Sequence, residues 1–203
     1  MLAQLRAAAT LLGVLTVLLG LLYPLAMTAV AGALFPEEAK GSLVMRDGVA
    51  VGSRLVGQSF ADARYLHPRP SVAGAGYDAS ASSGSNLGPT SATLAERLAT
   101  DAAVLRARTG AALLPADAVT TSGSGLDPEI SPAFADLQAA GIAEARGLPV
   151  DTVRRVLAAA TTGRTLGFLG EPRVNVLAAN LALDAAAPVP ADGVPTASAS
   201  PAG

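Results

Sequence analysis

The chain has 203 residues, a net charge of -2 and no cysteine, which excludes disulfides, thiol chemistry and cysteine-bound metals. Its pI near 5.3 offers no basic face for a nucleic acid. Because 51% of the residues are hydrophobic but only 3% aromatic, any core must be packed from Leu, Val and Ala, with modest buried area per residue.

The first element is a membrane anchor. Residues 7–36 carry no charge and include Leu11, Leu12, Val14, Leu15, Val17, Leu18, Leu19, Leu21 and Leu22. A helix crossing the hydrocarbon core needs about 20 apolar residues, so 1–36 reads as one transmembrane helix. Pro24 falls inside it and predicts a kink, tolerated where neighbours satisfy the freed carbonyl. Ala31-Gly32-Ala33 has the form of a signal cleavage site, and a cleaved, secreted binding module is the alternative. Signal apolar regions run only about 7 to 15 residues, which favours retention. A short N-terminus before a long soluble region predicts a cytoplasmic N-terminus and an extracytoplasmic domain, although Lys40, Arg46 and Arg54 count the other way.

Residues 37–184 read as a soluble α+β domain that opens with a hairpin. Asp47-Gly48 separates the short apolar runs Ser42–Met45 and Val49–Val51, a strong hairpin signal. Residues 65–90 lack helical periodicity and are rich in Gly, Ser, Ala and Pro. Tyr65, His67, Arg69, Tyr77, Asp78 and Asn86 would be superfluous in a spacer, so an ordered, contact-making loop is expected.

About four helices follow. Thr93-Leu94-Ala95-Glu96 fits a capping box, with Leu94, Leu98, Ala102 and Leu105 on one face as far as Gly110. Ser131-Pro132 marks the second start, and Arg146-Gly147 its stop. The third is expected to begin near Asp151 and end by Gly163, and the fourth to begin near Pro172, carrying Val174, Leu177 and Leu181. Strands first and helices after argue an α+β domain. Residues 185–203, almost all Ala, Pro, Ser and Gly, are expected to be a disordered tail.

Catalytic motifs are missing. There is no G-x-x-x-x-G-K-[ST] loop, no phosphorylated-aspartate motif, no potassium-filter motif and no G-x-S-x-G elbow. His67 is the single histidine, which argues against a zinc site. Paired with a serine it would make a membrane-anchored hydrolase, the rival reading; as a loop residue bonded to backbone it has no catalytic part. Asp127 and Glu129 could form a carboxylate pair, but Asp127 is better placed to shape the turn before Ser131. Ser82–Asn86 and Thr121–Gly125 are polar glycine loops able to form an anion nest.

Several of these segments resemble the C subunit of the Kdp potassium-transporting P-type ATPase. They are Gly52–Phe60, Tyr65–Ser71, Tyr77-Asp78 to Ser85–Thr90, Ser122–Pro128 with Ile130–Pro132, and Val174–Leu177 to Asn180–Asp184. The match is collinear over about residues 10 to 184. It implies a non-catalytic accessory subunit for high-affinity, ATP-driven potassium uptake at the inner membrane. The partners implied are a channel-like potassium-binding subunit, an ATP-hydrolysing P-type subunit and a small single-span subunit, besides membrane lipid. The resemblance also implies a catalytic chaperone that raises ATP affinity of the hydrolysing subunit, with no cofactor of its own and ATP reaching it through the complex. Gln138 matches the glutamine linked to nucleotide, and Gly141 stands where that pattern has arginine; without the resemblance, Gln138 reads as an exposed helix residue. The docking residues expected are Tyr65, His67, Arg69, Tyr77, Asp78, Ser83, Gly84, Ser85 and Asn86.

Overall fold

The computed structural model describes residues 1–187, and the chain divides into two compact units that meet between Leu43 and Val44. The first is dominated by one helix, α1 (Leu2–Leu34), whose most apolar 18-residue stretch has a mean hydropathy of 2.1 and no part buried. Its 33 residues, at 1.5 Å each, exceed a hydrocarbon core of about 30 Å, leaving length for tilt or for an interfacial end. Pro24 has no N–H to offer the carbonyl of Gly20, and the helix adapts by widening. Leu18–Leu22 forms a π-turn in which the Tyr23 N–H reaches the Leu18 carbonyl. Thr10 and Thr28 return their hydroxyls to the carbonyls of Arg6 and Pro24, at 2.9 and 2.8 Å, so neither is left bare among apolar side chains.

The second unit is α+β. Strands β1 (Leu43–Arg46) and β2 (Val49–Ser53) form the expected hairpin. Both turn residues, Asp47 (φ 53°) and Gly48 (φ 81°), adopt the left-handed region that matches strand twist. Helix α2 (Ala92–Thr109) is capped by Ser91, whose Oγ accepts the Leu94 N–H. The expected cap at Thr93 is displaced because Ser91 is the last extended residue, and Thr93 already lies within the helix. Helix α3 (Pro132–Arg146) begins at Ser131 as expected, with Oγ accepting the Phe134 N–H at 3.0 Å. Asp117 holds Ser131 in turn, accepting its N–H and its hydroxyl at 2.7 and 2.9 Å. Gly147, at φ 64°, ends the helix. Helices α4 (Val150–Ala159) and α5 (Val176–Ala186) complete the set.

A three-stranded antiparallel sheet was not anticipated. Its order is β3 (Glu129–Ile130), β5 (Arg173–Asn175), β4 (Thr161–Thr162), with Val174 opposite both Ile130 and Thr161. The helix expected from Pro172 therefore starts later. Asn175 is its N-cap, accepting the Ala178 N–H at 3.0 Å, which leaves Val174 extended and buried in the sheet. The third helix ends at Ala159, before β4 and within the expected limit of Gly163. The core gathers Leu66, Ile130, Phe134, Ile142, Val153, Leu157, Val174 and Leu183, interleaved with alanines of α3 and α5. Helix α5 continues to Ala186, and the tail expected beyond it lies, from residue 188, outside the described residues.

Candidate functional site

The loop from Tyr65 is ordered by two carboxamides. Asn180 of α5 accepts the Leu66 N–H at 2.7 Å and donates to the Leu66 carbonyl at 3.0 Å. Gln138 of α3 does the same for His67, accepting its N–H at 2.8 Å and donating to its carbonyl at 3.0 Å. Each side chain supplies what a neighbouring strand would supply, one donor and one acceptor per residue. Both are buried, Asn180 at 2% and Gln138 at 6% exposure, so the expectation of an exposed Gln138 does not hold. Its second amide hydrogen faces the Phe134 carbonyl at 3.4 Å.

Beneath the clamp sits a charged knot. Arg146, at the end of α3, bonds Asp184 at 2.9 Å with side-chain exposures of 2% and 10%. Its Nε donates to the Arg64 carbonyl at 2.6 Å and its guanidinium lies 5.0 Å from the centre of the Tyr65 ring. The Tyr65 hydroxyl and Arg46 of β1 approach the other oxygen of Asp184, each at 3.4 Å.

The expected docking residues are largely engaged within the domain. Arg69 pairs with Asp127 at 3.0 Å and donates to Thr120 and Thr121. The Tyr77 hydroxyl donates to the Arg69 carbonyl, while burial and the nearby Asp127 push its pKa up. Asp78 caps the short turn Ala79–Ala81 through the Ser80 N–H. The two glycine-serine loops are joined to each other. Ser83 donates its N–H, and Ser82 its hydroxyl, to the Ser124 carbonyl at 3.0 and 2.9 Å. A side chain at Gly84 would meet the Gly123 carbonyl at 2.8 Å, and one at Gly125, held at φ 68°, the Ser83 carbonyl at 2.6 Å. Tyr65 is buried; His67, Arg69, Tyr77, Gly84 and Ser85 are partly covered; Asp78, Ser83 and Asn86 are exposed. Asp127 shapes its turn as expected, accepting the Glu129 N–H, and Glu129 pairs with Arg173.

Beside Gln138 opens a cleft of about 540 Å³, lined by Tyr65, His67, Arg108, Leu137, Gly141 and Glu144. A Cβ at Gly141 would meet nothing within 4 Å, so a longer side chain there would project into this space. Burial and the Arg108 guanidinium lower the pKa of His67 below its ordinary 6.5. The unfolded chain then binds a proton that the folded chain refuses, so stability must fall as the pH drops through 6.5, until folded His67 also protonates. Urea midpoints of the detergent-solubilised chain between pH 7.5 and 5.5 will show this decline, and His67→Asn will flatten it. Asp62 is held at about 2, first by its side-chain hydrogen bond from Arg64, so it acts only at far lower pH.

The sequence matches the model of the family described as K+-transporting ATPase, c chain, over residues 5–185. The chain belongs to the KdpC family. It is similar to the potassium-transporting ATPase KdpC subunit of Caulobacter vibrioides strain NA1000, with 60% identity over 93% of this chain and 96% of that protein. The corresponding subunits of Beijerinckia indica and Bradyrhizobium diazoefficiens are 55% and 52% identical, over 93% and 92% of this chain and 97% and 99% of theirs. Membership in the KdpC family makes the chain a subunit of a multi-subunit potassium-transporting complex, and α1 is long and apolar enough to hold it in a membrane. The KdpC match runs through the amide clamp, the charged knot and the paired loops alike. The sequence reading has Arg146 only as a helix stop and Asn180 and Asp184 only within a resembling segment; an Asn within an apolar helical stripe was the one available signal for the clamp.

Proposed function

We propose that the chain is a non-catalytic accessory subunit whose soluble domain stands on the extracytoplasmic side, supports assembly of the potassium pump, and raises the ATP affinity of the hydrolysing subunit. The channel-like, ATP-hydrolysing and small single-span subunits are its partners, and catalysis belongs to another chain. The observation that carries this reading is KdpC membership across both the helix and the domain. Gln138 supports an indirect route to ATP. Its carboxamide is occupied by the His67 backbone, and a nucleotide could take it only by breaking those bonds. The exposed residues Asp78, Ser83 and Asn86 are the part of the expected docking set free to meet a partner. Gly84→Leu is a poor probe of docking, because the domain's own packing fills that space.

The hydrolase reading has less support. Ser71 and Ser82 spend their hydroxyls on the Gly125 and Ser124 carbonyls. Steady-state ATP hydrolysis by the purified complex, with and without this subunit, tests the proposal. A KM for ATP several-fold higher without it, and no saturable ATP binding by the chain alone, are expected. An unchanged KM would overturn the chaperone role, and tight ATP binding by the isolated chain would overturn the indirect route.

A further inference from the structure

The turn between β4 and β5 presents an apolar tip that the domain does not cover. Leu166, Phe168 and Leu169 are 78%, 68% and 49% exposed. Of the rings in the described soluble unit, Phe60, Tyr65, Tyr77 and Phe134 are all at least partly covered, and Phe168 alone is exposed. In so aromatic-poor a chain, leaving one ring in water forgoes a large share of the burial available.

The tip is also preorganised. Thr165 and Leu169 exchange backbone hydrogen bonds, both at 2.9 Å, and Arg164 bridges Glu171 at 2.6 Å across the base. Leu166 (φ 54°) and Gly167 (φ 82°) both occupy the left-handed region, which a leucine adopts only under constraint. The turn is rooted in β5, whose Val174 is part of the core.

We infer that this tip is an anchor that inserts into an apolar pocket on a protein subunit of the same complex. The inference rests on the accessory-subunit reading above, which supplies the partner. Charge selects protein over lipid: Arg164 and Glu171 cancel at the base of the tip, so anionic headgroups gain no attraction there. An exposed aromatic on a rigid turn, with a neutral ion pair at its base, instead suits the apolar centre and polar rim of an interface hot spot.

A photo-crosslinking phenylalanine analogue placed at position 168 of the full-length chain, in membranes making the whole complex, tests this. A crosslink to a protein subunit is expected. In parallel, Phe168→Ser is expected to reduce partner recovery at least tenfold on a tagged chain, with an unchanged urea midpoint because the ring touches no core. Crosslinks to lipid alone, or none, would overturn the anchor, as would wild-type recovery of partners by Phe168→Ser. Should the wild-type chain itself recover no transport subunit, the underlying accessory reading fails, a result distinct from failure of the tip.

Discussion

Arg146→Met will destabilise the soluble unit by about 3–5 kcal/mol, the usual loss when one partner of a buried ion pair is removed. The methionine keeps much of the volume, so the loss isolates charge and hydrogen bonding. Asp184, 9% exposed, would keep only its two 3.4 Å approaches from Arg46 and Tyr65. The Arg64 and Ala187 carbonyls would lose their donors, and the Tyr65 ring its cation. A small domain has roughly 5–15 kcal/mol in total, so the variant stands near the edge of folding. Urea denaturation of the full chain in detergent measures it. A midpoint within experimental scatter of wild type would show that the knot is dispensable. Arg146→Met with Asp184→Leu should recover part of the loss, because no unpaired charge then remains buried.

Asn180→Ala comes next, at roughly 2–5 kcal/mol. It strips the partners from both the N–H and the carbonyl of Leu66, a residue with no exposure, and each unsatisfied group costs about 1–3 kcal/mol. Gln138→Ala should cost less, because His67 borders the cleft, where water can replace the amide. Hydrogen exchange at the Leu66 amide provides the direct readout: protection is lost in Asn180→Ala and kept in Gln138→Ala. Equal protection in all three chains would refute the clamp. A loss of ATP affinity in a complex carrying Gln138→Ala would then be read against its stability before being assigned to nucleotide contact.

Features built from consecutive residues were legible in the sequence. Asp47-Gly48 marked the hairpin, Ser131-Pro132 and Gly147 bounded α3, and the uncharged run marked α1. These signals are local, because turns and caps satisfy backbone groups within a few residues. The three-stranded sheet was not legible, since strands of two or three residues are too short for alternation to show. Val174 illustrates the loss: its spacing to Leu177 fits a helix face, and only Asn175 as a cap reveals that the helix starts after it. Gln138 was misread, and Asn180 was given no role, for another reason. A polar residue in a helix is read as outward-facing unless its partner is known, and their partners lie 71 and 114 residues away. The family resemblance reached the right complex without revealing any of this, since it transfers identity and not hydrogen bonds.

The widened turn at Leu18–Leu22 changes what the membrane helix can be read as from outside. Closing that turn takes one residue more than an α-turn, and each residue advances the helix by about 100°. A stripe followed along Leu2–Val17 therefore does not continue on the same side through Tyr23–Leu34. A neighbour packed along the first half of the helix would therefore face a different side of the second half. Removing a single leucine from the turn would bring the two halves back into register.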